Sequence, residues 1–196
     1  MKTFQTFLSA LLMVASTTVG AWSYDGHSFP GKGDPANYRR SLPKADAAAK
    51  LLTQGKYQDA LNQYDRAITI YPFDASMHSN RGAALSGLSK HVEAVKEFRK
   101  AIELEPSWAD GYNNLADELK ILKDFKGAEA NTKKAIALSP ADPLPLLTLA
   151  ELYIDMGRKA DAQQLISRAA KMPAAKNDNF IQETIKSDLD KLSRIR

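Results

Sequence analysis

The sequence predicts an all-α fold, a solenoid of antiparallel helix pairs, on three observations. Small residues recur every 34 positions: Ala60, Ala94, Ala128 and Ala162; Ala67, Ala101, Ala135 and Ala169; Ala48, Gly82, Ala116 and Ala150. Apolar residues keep the same period at Leu51, Leu85, Leu119 and Tyr153, and again at Ile70, Leu104, Leu138 and Met172. Pro72, Pro106 and Pro140 end three of the units, where a ring without an N–H cannot continue a helix. One pair of short helices cannot bury its apolar stripe alone, and a following pair covers it. Small side chains belong where helix axes approach most closely, because anything larger overpacks the contact.

In chain order, the first element is an export segment. Lys2 is the only charge before Asp25, an apolar run spans Phe7 to Ala15, and Val19, Gly20 and Ala21 precede Trp22. A basic start, a short apolar run and a small-residue exit predict a signal peptide over residues 1–21 and an exported protein, periplasmic or secreted. The alternative is a membrane anchor: residues 3–24 are uncharged and long enough to span a bilayer if left uncleaved. The chain has no Cys, which rules out a lipid-bearing cysteine, a disulfide scaffold, a Cys-ligated zinc and a thiol nucleophile.

Residues 22–40 are expected to form a flexible tether. They hold Gly26, Gly31, Gly33, Pro30 and Pro35 without helical or strand period, and Trp22, Tyr24, Phe29 and Tyr38 also suit an arm that docks on the array or on a partner. Asp34 and Pro35 have the cap and first-turn chemistry of a helix start. The four-unit domain is placed at 41–176, with Asp74 and Asp142 as helix caps and Pro143 as a first helical residue. Residues 177–196 read as a capping helix. Asn179 and Gln182 form the capping-box pattern, Ile181, Ile185, Leu189 and Leu192 face inward, and Lys186, Asp188, Asp190, Lys191 and Arg194 face water.

Gly55, Tyr57 and Ala60, followed by Tyr64, Ala67 and Pro72, resemble the second half of the tetratricopeptide repeat, and Phe98, Ala101 and Pro106 repeat the pattern. The resemblance covers residues 41–176 as four repeats, and it implies a right-handed superhelix. The chain departs from the family motif at the early first-helix aromatic, which is Lys44, His78, Tyr112 and Leu146 here. It departs again at Thr132, in place of a second-helix aromatic, and at Pro173, which arrives one residue early.

Chemistry is sparse. A formal charge of +4 is too mild to argue for nucleic acid. His27, His78 and His91 are not in metal-ligand spacing, and no phosphate loop, nucleophile elbow or dinucleotide fingerprint occurs. The pairs Glu151 with Asp155 and Asp110 with Asp117 read as solvated faces. No catalytic residue, metal, cofactor, nucleic acid or small-molecule substrate is expected.

The family resemblance implies a concave groove lined by the first helix of each pair and open to a peptide or partner protein. In this sequence that face carries Leu42, Ala45, Ala49 and Leu52, then Ser76, Ser79, Asn80, Ala83 and Ser86. Asp110, Asn113, Asn114, Asp117 and Lys120 follow, then Leu144, Leu147, Glu151 and Asp155. The candidate binding residues are Asn80, Asn114, Asn113, Asp110, Asp117, Glu151, Leu42, Leu52 and Ala83. Asn80 and Asn114 are 34 residues apart, and each amide can both donate to and accept from a peptide backbone. Chaperone-tail receptors of the family clamp a carboxylate with Lys, Asn and Arg. Only Asn80 matches that set, and Asp110 would repel a carboxylate. The expected function is a non-enzymatic interaction scaffold in envelope assembly, secretion or complex biogenesis. The alternatives are a holdase chaperone with an apolar groove and an accessory subunit of an enzyme complex.

Overall fold

The computed structural model describes residues 30–194, so the expected signal segment and the first part of the tether, together residues 1–29, lie outside the described residues. Among the described residues every regular element is a helix. A first compact unit, ending at Pro106, pairs α1 (Pro35–Thr53) with α2 (Tyr57–Ile70) and α3 (Ala75–Gly87) with α4 (His91–Leu104). A second, beginning at Ser107, pairs α5 (Ala109–Ile121) with α6 (Phe125–Leu138) and α7 (Leu144–Asp155) with α8 (Lys159–Ala170). It continues through the single turn α9 (Pro173–Lys176) into α10 (Asn179–Arg194).

The 34-residue register is the packing register. All eleven repeat-position alanines are buried, and Ala48, Ala60, Ala67, Ala94, Ala101, Ala135, Ala150, Ala162 and Ala169 have no exposed surface at all. Gly82, the one glycine in the set, shows why size matters there. A Cβ at Gly82 would lie 3.0 Å from the Phe98 ring, so α3 meets the bulk of α4 across a position without a side chain.

Each first helix ends in the same way. The N–H of Lys56, Lys90, Asp124 and Arg158 bonds back to the carbonyl of Leu51, Leu85, Leu119 and Tyr153 respectively. One residue earlier, Gly55, Ser89, Lys123 and Gly157 donate to Leu52, Ser86, Lys120 and Ile154. These paired bonds define a Schellman turn, which requires a left-handed residue just past the helix. The four residues in that place have φ of 72°, 59°, 64° and 72°. Gly55 and Gly157 take this conformation without Cβ strain, whereas Ser89 and Lys123 carry it.

Helix starts depend on aspartates. Asp34, Asp74 and Asp124 accept from the backbone N–H of Ala36, Met77 and Gly127, and Asp142 accepts from Leu144. Two boundaries differ from expectation. Helix α1 already begins at Pro35, so residues 35–40 belong to the first helix and not to a tether. Tyr38 within it is buried in a cluster with Leu42, Ala67, Tyr71 and Met77. The segment before it is held too: the Tyr71 hydroxyl donates to the Lys32 carbonyl, and the Phe73 and Tyr71 rings close around Gly33. Pro143 sits just outside α7 as its cap residue.

The C-terminal helix is turned slightly from the expected face. Ile181, Ile185, Asp188 and Leu192 are buried, while Leu189 is exposed. Its start is capped by Asp178, which accepts from Ile181, and not by Asn179. Gln182 reaches back to the carbonyl of Ala175 in α9.

Candidate functional site

In the first unit, α3 carries the candidate Asn80, which is half-buried and lies beside the buried Tyr64, whose hydroxyl makes no well-formed hydrogen bond. Most of the expected apolar wall is buried, with Ala45 and Ala49 half-buried. Leu42, Leu52 and Ala83 are 7%, 4% and 8% exposed, because the face that should have opened to a partner is used to pack the unit itself. Ser79 and Ser86 are buried with them.

Sequence reasoning also missed a polar network on α3. His78 Nδ1 lies 2.8 Å from Glu97 Oε2, and Nε2 lies 3.0 Å from the Pro72 carbonyl. Arg81 donates to Glu97 at 2.8 Å and to Asp65 at 2.7 Å. Burial alone would raise the Glu97 carboxyl, but His78 and Arg81 outweigh it and hold it below the ordinary value. His78 occupies the slot where the family motif has an aromatic, and here that slot ties α3 to α4.

In the second unit, Asp110, Asn113, Asp117 and Lys120 fall on one stripe of α5, at intervals of three, four and three residues. The stripe is not a solvated face. Lys120 is 8% exposed and bonds Glu151 of α7 at 2.8 Å. Glu151 also accepts from Lys191 of α10, and Lys191 bonds Asp188 at 3.0 Å. Four candidate or neighbouring side chains from three helices thus form one ionic chain that fastens the C-terminal helix to α7. Glu151 is buried and committed within it; burial opposes its charge, but Lys120 and Lys191 prevail and its carboxyl is lowered.

Asp117 stands 3.9 Å from Lys120 and has one oxygen without a hydrogen bond. Burial, against the pull of Lys120 and with the push of Glu151 and Glu118, raises its carboxyl to about 7. Asp188 is fully buried, has a second oxygen without a partner, and is likewise raised to about 7 by burial and by Glu151. Asp110 is raised by burial and by Asp142, and Asp142 by burial and by Asp178. Asn113 is buried with its Oδ1 unpartnered, and Asn114 is half-buried.

The repeat length, the Schellman turns and the alanine register invite comparison with known proteins. Three tetratricopeptide-repeat models match residues 50–89, 75–107 and 121–175, more than half of the chain between them. The chain belongs to the tetratricopeptide-repeat (TPR) family. No curated protein matches it. Among solved structures it is similar to MamA, with 16% identity, a TM-score of 0.62, and coverage of 78% of this chain and 89% of that one. The TPR domain of Arabidopsis OM64 gives 22% identity and a TM-score of 0.57, covering 59% of this chain and 96% of that one. The second TPR domain of human RPAP3, solved with the HSP70 peptide SGPTIEEVD, gives 22% identity and a TM-score of 0.57, covering 59% and 97%. These likenesses establish the TPR fold. No described helix is long and apolar enough to cross a membrane.

Proposed function

We propose that this TPR protein is a non-catalytic scaffold that binds a peptide or partner-protein segment on its first helices. The observation that carries the reading is the TPR architecture itself, whose first helices present half-buried amide side chains, Asn80 in one unit and Asn114 in the other. A related fold, the second RPAP3 domain, holds a peptide. That peptide ends in acidic residues, and Asp110 in this chain disfavours such a ligand. The holdase alternative loses most of its apolar wall with the burial of Leu42, Leu52 and Ala83.

The reading includes export, with cleavage before Trp22, and a role in envelope assembly, secretion or complex biogenesis. Sequencing the N-terminus of protein from its native host tests the first part, and a membrane-retained Met1 start favours the anchor. Affinity capture from native extract tests the second. Asn80→Ala with Asn114→Ala should weaken capture at least tenfold, about 1.4 kcal/mol, while Lys96→Glu with Lys133→Glu on second helices should not. The opposite result would place binding on the second helices.

A further inference from the structure

Helix α10 is joined to the rest of the second unit by a cluster of ionisable side chains. Asp188 and Lys191 come from α10, Glu151 from α7, and Asp117 and Lys120 from α5. Lys191 bonds both Glu151 and Asp188, while Lys120 bonds Glu151 and stands 3.9 Å from Asp117. The charges do not balance. Three carboxyls face two ammonium groups, and Glu118 and Asp155 add further negative charge around Asp117 and Lys120. An uncompensated charge in a buried site is costly, so a cluster of this composition takes up a proton.

The geometry shows where that proton matters to α10. Asp188 has no exposed surface; its Oδ1 accepts from Lys191, and its Oδ2 has no hydrogen bond. Its other close neighbour is the Glu151 carboxylate, which has no hydrogen to give. When both are ionised, two carboxylates face each other across one shared ammonium. When Asp188 is protonated, it gains an O–H that can donate to Glu151, and the repulsion becomes a bond. Charged groups on the other elements against α10 are differently placed. Lys159 and Arg168 of α8 and Lys176 of α9 are exposed, and Asp161 of α8 pairs with Arg158. The remaining buried residues of α10 are Ile181, Ile185 and Leu192, so the state of Asp188 weighs heavily on how firmly the helix docks.

We propose that α10 is a proton-operated latch, closed on α7 and α8 while Asp188 carries a proton and released as that proton leaves. Burial first, and then Glu151, raise the Asp188 carboxyl from 3.8 to about 7. Its contribution to docking is therefore complete below 3.8 and is lost as pH rises through about 7. Release bares Glu151 of α7 together with the surface that Ile181, Ile185 and Leu192 cover. Proton occupancy thus sets whether this end of the array is capped, whatever the scaffold binds.

Hydrogen exchange of the full chain, followed by mass spectrometry and corrected for the intrinsic rate at each pH, tests the latch. From about pH 5 to about pH 8, protection of the α10 amides should fall by roughly tenfold or more, and that of the α8 amides by much less. Asp188→Asn puts a permanent N–H donor in place of the proton and should abolish the fall in α10. Glu151→Gln removes the surplus charge from the α7 side and should abolish it too, so the test stands if one of the two variants fails to fold. Constant α10 protection in the unmodified chain overturns the proposal. So does an equal loss in α8, which would mean that the unit opens as a whole, or a fall in α10 that persists in either folded variant.

Discussion

Ser89 and Lys123 hold φ of 59° and 64° at the turn position that Gly55 and Gly157 fill in the other pairs. A left-handed non-glycine residue costs roughly 1–2 kcal/mol, and glycine returns about 0.5–1 kcal/mol of that as unfolded-chain entropy. Ser89→Gly and Lys123→Gly should therefore each stabilise by about 0.5–1 kcal/mol in urea denaturation. Gly157→Ala should destabilise by about 1 kcal/mol for backbone reasons alone, since a Cβ there meets nothing within 4 Å. Destabilisation by both glycine substitutions, or stabilisation by Gly157→Ala, would mean that the turn is not strained as described. Gly55 was legible in the sequence as part of the repeat motif. Ser89 and Lys123 were not, because a helix pair tolerates a small local penalty when its Schellman bonds and packing are otherwise complete.

At the scale of an element, the N-terminal edge of α1 differs most from expectation. Glycine and proline density pointed to a loose tether up to residue 40, whereas Pro35 opens the helix and Tyr38 packs against Tyr71 with ring centroids 5.0 Å apart. The residues just before the helix are tied by one tyrosine hydroxyl. Tyr71→Phe removes the bond to the Lys32 carbonyl and should cost about 1 kcal/mol. It should also speed limited trypsin cleavage after Lys32, and an unchanged cleavage rate would show that the segment is not held this way. The C-terminal helix was misread for a related reason. A periodicity count prefers Leu189 to Asp188 as a buried residue, but the helix keeps Ile181, Ile185 and Leu192 inward only by taking Asp188 with them. The alanine register was readable because small residues at contact points have few substitutes. The fate of polar side chains was not, since Glu151 and Lys120 look solvated until their partner, 31 residues away, is known.

Across the whole molecule, the two units use carboxylates in opposite ways. In the first, Glu97 is held below its ordinary 4.5, so its contribution is present above that value and is lost as pH falls through the folded pKa. In the second, Asp117 and Asp188 are raised from 3.8 to about 7, so their contribution is complete below 3.8 and is lost as pH rises through about 7. Glu151 is lowered and adds an acid-side loss to the same unit. Trp108 lies in the second unit, and in a Trp22→Phe background it is the sole tryptophan. The urea midpoint reported by Trp108 should fall between about pH 5 and about pH 7 and level off above that, and Asp188→Asn should reduce the fall. An equal fall in the variant would remove Asp188 from the account.

The four Schellman turns have a kinetic consequence. Each closes a chain reversal within a few residues, so a helix pair can form before any distant segment arrives, and such local closure is entropically inexpensive. Chains built from short-range pairings fold quickly, and an array of this kind can begin at more than one place. The glycine turns at 55 and 157 need no backbone strain to close and so favour α1 with α2 and α7 with α8 as starting points. The bond from Lys191 to Glu151 spans 40 residues, the longest reach among the polar contacts described. Helix α10 should accordingly be the last segment to lock in refolding and the first to open under force applied at the C-terminus.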